Sequence, residues 1–425
     1  MDIVFILVFV VSYLAITLEH PLGVNKSAPA LLGAGVLWTL YAFHLGDNHL
    51  LVEHLNESLN TTAQIVFFLM GAMTIVEVVD AHNGFDIITR RIRTQKLSTL
   101  IWLVSVLTFF LSAILDNLTT AIIMVSLTKK LLRDQEDQLF FAGMIVIMAN
   151  AGGAWSPLGD VTTTMLWIGG QVTALAIITT LIFPSLVAAL VPLAVTAWTL
   201  RGRPVVAPEP DAGDLTHKPT HGAFMFWLGL GIMLFVPVFK TLTGLPPYMG
   251  MLLGLGLLWL ISDVLYRGKT EDDQTHLTLV SSLSRIDMGS LTFFMGILLA
   301  VAVLEHAQIL SHLAQWLNDT LGRMDVIVIL IGLASAVVDN VPLVAATQGM
   351  YSLIDHPPDS FLWEFIAYCA GTGGSVLIIG SAAGVAAMGL VKIDFFWYVK
   401  RISGLALLGY FAGALAYIVQ FNLTH

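Results

Sequence analysis

SAILDNLTT, Ser112 to Thr120, is written a second time in altered form as SAVVDNVPL, Ser335 to Leu343. In each copy a Ser-Ala pair and two apolar residues lead into Asp-Asn, with long apolar runs on either side. Lipid tolerates neither a free carboxylate nor unpaired backbone, so an Asp-Asn in such a run breaks a helix where protein must enclose it. One copy alone is compatible with a polar turn between two membrane helices. Two copies in matching surroundings read as the two halves of one transport site.

The composition supports a membrane setting. Of 425 residues, 57% are hydrophobic and 11% charged, and the mean hydropathy is +0.84. Soluble domains carry about 25% charged residues, so the expected class is an all-α polytopic membrane protein. The strands of a membrane barrel would alternate apolar and polar residues, whereas these apolar runs are continuous. The net charge of -10 lies mostly in loops, and no nucleic-acid partner is expected. The single cysteine, Cys369, excludes an internal disulfide framework and reads as a small core residue. The opening MDIVFILVFV lacks a basic n-region and a small-residue cleavage site, which predicts a retained span.

Apolar runs fall at Ile3–Leu18, Ser27–Leu45, Ala63–His82, Leu97–Leu132, Leu139–Gly169 and Val172–Leu200. A polar, Pro-rich stretch follows, and then a second set: Phe224–Leu242, Tyr248–Leu265, Leu291–Gln315, Val326–Ile354, Phe361–Val391 and Phe395–Phe421. This pattern is a repeat. FFLMG at Phe67–Gly71 matches FFMG at Phe293–Gly296, SAILDN matches SAVVDN, and AGGAWSPLG at Ala151–Gly159 matches TGGSVLIIG at Thr372–Gly380. The three offsets are 225, 223 and 221 residues. The expected organisation is a first repeat over 1–202, a cytoplasmic linker over 203–221 and a second repeat over 222–425.

The runs 97–132 and 326–354 carry Asp-Asn near the middle and no polar loop. Arms as short as Val326–Val338 and Val341–Ile354 fall below the roughly 20 residues of a span, which predicts re-entrant hairpins. The longer arms of the first leave two tightly joined spans open there. The runs 139–169 and 361–391 read as single spans broken by a Gly-rich segment. About ten crossings plus two hairpins result, with an odd number per half, so the second half is inverted relative to the first. Charge agrees: with the N-terminus outside, 17 of the 19 Lys and Arg are cytoplasmic and only Lys240 and Arg323 are outside. Both termini are then periplasmic in a bacterial setting.

The acids noted within apolar runs are Glu77, Asp80, Asp116, Asp160, Glu305 and Asp339. Glu77 and Asp80 lie near a span end, Glu305 is the repeat equivalent of Asp80, and interfacial roles are expected for these three. Asp116, Asp160 and Asp339 sit at helix interruptions near mid-run. In NAGGAWSPLGDVTTT, Asn150 to Thr164, Pro157 stops the first half-helix, and Asn150, Ser156, Asp160, Thr162 and Thr163 supply oxygens. The bland alternative is a kinked helix with polar packing residues. In the second break Gly371 replaces Asn150 and Ser381 replaces Asp160, so the second half offers Asp339 and Asn340 with the hydroxyls of Ser335, Thr372, Ser375 and Ser381. Ser112 holds the place of Ser335 in the first half. Carboxylates, amides and hydroxyls suit hard cations, and no His or Cys cluster accompanies them. No buried Lys or Arg is expected to face the site. Unpaired acids then require a mobile counter-ion, Na⁺, Li⁺ or H⁺, competing for the same oxygens.

LEHPLGVNKSAPALL (Leu18–Leu32), the paired Asp-Asn hairpins and NAGGAWSPLGDVTTTMLW together resemble the NhaD-type sodium/proton antiporters of the ion transporter superfamily. The resemblance implies a homodimeric bacterial inner-membrane protein that exchanges Na⁺ or Li⁺ for H⁺ by alternating access, with no cofactor beyond the transported ions. It implies that Asp116, Asn117, Asn150, Asp160, Thr162, Asp339 and Asn340 bind ions, with Na⁺ on the carboxylates and amides among them. Related carriers of organic anions commonly place Ser-Asn-Thr at their hairpin tips, where this chain has Asp116-Asn117-Leu118 and Asp339-Asn340-Val341.

Two other readings stand beside this one. A Na⁺-coupled carrier of a neutral or anionic solute is disfavoured, in its anionic form, by the expected lack of a buried base. An intramembrane aspartyl protease requires paired acids and usually a GxGD motif, and Pro157-Leu158-Gly159-Asp160 lacks the first glycine. His44, His49, His54, His217, His221 and His276 read mainly as solvated loop residues, although histidine suits a pH sensor.

Overall fold

The computed structural model describes residues 1–85, 87, 94–205, 221–265 and 279–424. Most of the expected linker 203–221 lies outside the described residues, as do Arg90, Arg91, Arg93, His217, Lys218, Arg267, Lys269 and His276. Among the described residues the structure is helical, with one isolated antiparallel bridge between Lys96 and Pro204.

The first half contains α1 (Asp2–Thr17), α2 (Glu19–Leu22), α3 (Ser27–Leu45), α4 (Asn48–Ala81), α5 (Leu97–Ser112), α6 (Asn117–Leu131), α7 (Gln135–Gly153), α8 (Val161–Ile168) and α9 (Ala174–Thr199). The second contains α10 (Gly222–Thr243), α11 (Pro247–Leu265), α12 (Leu279–Arg285), α13 (Met288–His306), α14 (Ile309–Leu321) and α15 (Met324–Ala334). It continues with α16 (Asn340–Met350), α17 (Phe361–Gly373), α18 (Ala382–Val391), α19 (Phe395–Arg401) and α20 (Ser403–Thr424). Seven of these helices are continuous, long and apolar enough to cross a membrane. The expected ten crossings therefore also require the 16-residue α1 and the two interrupted pairs α7–α8 and α17–α18.

Burial sorts the helices. Every residue of α7 from Phe141 to Gly153 is buried, and so is every residue of α17 from Leu362 to Gly373. A helix that is apolar on all faces and enclosed on all of them is a central element. By contrast α1, α10 and α11 expose Ile3, Leu7, Trp227, Leu242 and Leu260, the surface that a lipid-facing helix presents. Helices α9 and α20 pack through small residues: a Cβ on Gly409 would press the Ala188 carbonyl, and one on Gly413 the Pro184 carbonyl. Such positions let membrane helices approach closely.

Three runs differ from expectation. Leu291–Gln315 is not one helix: α13 stops at His306, and Gln308 turns the chain at φ 59° into α14. Polar residues interleave with Leu310 and Ala314, the two that α14 buries, which suits a helix lying along a surface. Phe395–Phe421 divides at Ile402 into α19 and α20. The stretch around His44, His49 and His54, read from sequence as loop, is helical from Asn48 onward, started by Asp47, whose carboxylate accepts the backbone N–H groups of His49 and Leu50.

Both Asp-Asn motifs are helix–break–helix units. Each first arm packs along its own half's interrupted helix, α5 on α7 and α15 on α17, and α6 packs on α18 while α16 packs on α8. The local contacts correspond atom for atom. Ser112 Oγ donates to Ala149 O at 2.6 Å, and Ser335 Oγ donates to Ala370 O at 3.0 Å. A Cβ on Gly152 would strike the Phe109 carbonyl, and one on Gly373 would strike the Gly332 carbonyl.

Candidate ion-binding site

The four breaks meet around Asp160, which is 1% exposed. Its Oδ1 accepts the backbone N–H and the hydroxyl of Thr162, both at 3.0 Å, and so starts α8. Its Oδ2 accepts Asn117 Nδ2 at 2.8 Å. Asn340 Nδ2 approaches the same carboxylate at 3.4 and 3.5 Å. Asn117 Nδ2 also donates to Asn150 Oδ1 at 3.1 Å, and Asn150 Nδ2 donates to Ser381 Oγ at 3.0 Å. One buried carboxylate thus receives an amide from each Asp-Asn break, and a third amide links it to the 374–381 break.

Within each Asp-Asn pair the two residues divide the work. Asp116 accepts the Thr119 N–H at 2.8 Å and the Thr119 hydroxyl at 2.6 Å, capping α6. Asp339 accepts the Val341 N–H at 3.2 Å and caps α16. It is the asparagine in each pair that reaches Asp160. The supporting hydroxyls serve backbone: Thr163 donates to the Ser156 and Asp160 carbonyls, Thr372 to Tyr368, Ser375 to Thr372, and the Ser156 hydroxyl accepts the Leu158 N–H. Ser381 alone of these touches the amide network, and it also caps α18 through the Gly384 N–H.

Helices α6, α8, α16 and α18 all begin at this point, so four partial positive charges converge on it. Asp116, Asp160 and Asp339 sit on three of those four ends as caps. Each carboxylate cancels the helix field locally and adds a full negative charge. Bare helix ends would favour an anion, whereas acid-capped ends favour a cation.

The expectation that no base faces the site is overturned. Lys26 Nζ lies 3.2 Å from Asp339 Oδ2 and 4.3 Å from the centre of the Phe293 ring. The chain places Lys26 in a short loop 313 residues from Asp339, so only the packed fold brings it there. A second base also turns inward: Lys240 Nζ donates to the Trp167 carbonyl at 2.9 Å and lies over that indole.

One acid and one histidine differ from the sequence reading, Glu364 and His54. Glu364 was passed over; it is buried, and accepts the Thr180 hydroxyl and the Tyr417 hydroxyl, each at 3.1 Å. Its position at the start of an apolar run concealed the enclosure by α9 and α20. Glu77 pairs with Arg285 at 3.7 Å, as an interfacial residue should. His54 is no solvated loop residue, since its ring stacks on His306 at 4.1 Å and its Nδ1 meets the Tyr41 hydroxyl at 2.9 Å.

A cavity of about 450 Å³ is lined by Lys26, Glu77, Asp80, Leu118, Arg285 and Asp287. It shares Lys26, Met73, Leu118, Ser290 and Ala382 with a small void of about 40 Å³ that reaches Asp116 and Asn117. At the other ends of α4 and α13 lies a recess of about 230 Å³ lined by Glu57, Glu305, His306, Gln171 and Gln348. The twenty residues of α4 between Glu57 and Glu77 span about 30 Å at 1.5 Å per residue.

A family model described as "Citrate transporter" matches residues 7–364. "Sodium/proton antiporter 1" of Arabidopsis thaliana is 49% identical over 425 residues, covering 99% of this chain and 73% of its own. "Na(+)/H(+) antiporter NhaD" of Alkalimonas amylolytica is 32% identical over 428 residues, covering 93% and 86%. The chain belongs to the NhaD-type antiporter family. Membership makes it a multi-pass transporter and removes the protease reading. These NhaD-type relatives come from both a plant and a bacterium, so the family alone does not select the bacterial inner membrane.

Proposed function

We propose that this protein exchanges Na⁺ for H⁺ across a membrane, with Asp160 as the carboxylate for which the two ions compete. The observation that carries this reading is the buried Asp160 carboxylate held by Asn117 and Asn340 from two separate elements, with Asn150 bonded to Asn117 from a third. Two further features support it. The relatives are named for sodium/proton exchange, and acid caps occupy three of the four helix ends that point inward.

The amide orientation suggests how loading proceeds. Around Asp160 the Asn117 and Asn340 amides present NH₂ groups to the carboxylate. A cation beside Asp160 requires oxygens instead, so each amide turns over to present Oδ1. Lys26 does not revive the anion-carrier reading, since its ammonium is committed to Asp339.

The breaks at 113–116 and 335–339 act as re-entrant tips: arms of 11 and 11 residues at the second are short for a span of roughly 20, and the first is its repeat equivalent. With Lys26 and Arg285 placed in the cytoplasm by the positive-inside rule, the large cavity is the inward opening. The recess at Glu57 and Glu305 is the outer approach. Alternating access exchanges the two, as the inverted halves rock about Asp160. Li⁺ follows the Na⁺ route, and the protein works as a homodimer.

The test is reconstitution. Purified protein in liposomes with an imposed Na⁺ gradient is expected to move protons against a trapped pH dye, and Li⁺ is expected to substitute. A dye signal that does not respond to Na⁺ sinks the proposal. A second expected outcome concerns the amides. Asn117→Ala removes contacts at 2.8 and 3.1 Å, whereas Asn340→Ala removes only longer ones. Each variant also lacks the Oδ1 that turns to the ion, and at about 1.4 kcal/mol for each factor of ten the loss of one such ligand to a charged group raises the Na⁺ KM roughly tenfold in Asn117→Ala. The rise is smaller in Asn340→Ala, and equal KM values in the two variants would count against this geometry.

A further inference from the structure

We propose that Lys26 is a tethered counter-ion that occupies the Asp339 side of the site and restricts it to monovalent cations. This rests on the exchange reading above and adds a specificity-determining residue to it.

The stretch LEHPLGVNKSAPALL, which carries much of the family resemblance, is built to aim this side chain. Glu19 Oε1 accepts the Lys26 backbone N–H at 3.2 Å, and Asn25 Oδ1 accepts the Ser27 N–H at 2.9 Å. Ser27 Oγ then donates to the Gly289 carbonyl at 2.7 Å, tying the loop to the start of α13 in the other half. From that anchored backbone the side chain passes over Phe293 to Asp339. It lines both the large cavity and the small void beside Asp116 and Asn117. Lys26 therefore stands on the route an ion takes and reaches from it to Asp339, the two side chains only 23% and 16% exposed.

The consequence is a matter of charge. Three carboxylates serve the inward-pointing helix ends, and a divalent cation is held by several anionic oxygens at once. With one carboxylate permanently matched by an ammonium that cannot leave, the rest suffice for a monovalent ion. Removing the ammonium while keeping Asp339 adds a free carboxylate beside Asp160. Such a site takes Na⁺ more tightly, and Ca²⁺ or Mg²⁺ lodge in it and block turnover.

The experiment uses the full chain in proteoliposomes, with Na⁺-driven proton flux measured against millimolar Ca²⁺ and Mg²⁺. Lys26→Gln is expected to lower the Na⁺ KM severalfold and the Ca²⁺ concentration for half-inhibition at least tenfold. Lys26→Arg keeps the wild-type insensitivity, and Lys26→Gln with Asp339→Asn restores it. Where Lys26→Gln turns over too slowly, ⁴⁵Ca²⁺ binding to the purified monodisperse variant reads the same difference. A pair that merely fastens the two halves would lower kcat alike in Lys26→Gln and Asp339→Asn, with no new Ca²⁺ sensitivity, and that result overturns the inference. So does a double variant as Ca²⁺-sensitive as Lys26→Gln. If the wild type shows no Na⁺-driven flux, the exchange reading fails instead, and the ⁴⁵Ca²⁺ comparison still decides the role of Lys26.

Discussion

Asp160→Asn is expected to reduce Na⁺-driven proton flux at least a hundredfold while the protein continues to fold. Asparagine is as good a helix cap as aspartate, so its Oδ1 still accepts the Thr162 N–H and α8 still starts at the same residue. What it loses is the charge that attracts either ion. Its NH₂ group also faces the NH₂ groups of Asn117 and Asn340. Hydrogen bonds to a charged partner contribute about 1.5–3 kcal/mol each, a loss that the cap and the surrounding packing absorb only in part. A modest fall in melting temperature therefore accompanies complete loss of exchange. The check is fluorescence dequenching in everted vesicles, with size-exclusion profiles of the detergent-solubilised variant run alongside. Flux within threefold of wild type would remove Asp160 from the centre of the mechanism. Asp116→Asn, which touches a cap outside the amide network, should be milder.

Much of this site was legible because membrane helices break rarely and with conspicuous residues. Asp-Asn and AGGAWSPLGD stand out against apolar runs, and their repetition at a near-constant offset locates both breaks in each half. The roles within each Asp-Asn pair were not legible. Adjacent residues at the start of a helix point about 100° apart, so only one of them can face Asp160 while the other caps. Which one does so depends on packing. Lys26 escaped notice because a loop lysine next to apolar segments looks like a cytoplasmic charge, and its partner is 313 residues away. Gln308 escaped because a left-handed turn usually announces itself with glycine or asparagine, and here a glutamine adopts it at φ 59°. The pairing of His54 with His306 likewise joins residues from the two halves, beyond any local pattern.

Gly152→Val and Gly373→Val are each expected to cost about 3 kcal/mol or more of stability, since forcing carbon into a filled space costs 1–3 kcal/mol even where side chains can move. Here they cannot. The added Cβ would collide with the backbone carbonyl of Phe109 in the first case and of Gly332 in the second. Backbone inside a packed arm has no rotamer to change, so the arm must lift off its interrupted helix. When α5 or α15 lifts, the tip that carries Asn117 or Asn340 is drawn away from Asp160, and the ion site opens along with the fold. The two variants are thus predicted to resemble each other although they lie in different halves, because the same atoms oppose them. Gly256→Ala and Gly389→Ala provide the contrast: each lies inside a helix with nothing within 4 Å of the new carbon. There the lower entropy of alanine in the unfolded chain gives roughly 0.5–1 kcal/mol of added stability. Thermal melting followed by fluorescence-detected size exclusion ranks all four. If Gly373→Val melts with Gly256→Ala, the tips are not seated by these close approaches, and the position of Asn340 needs another cause.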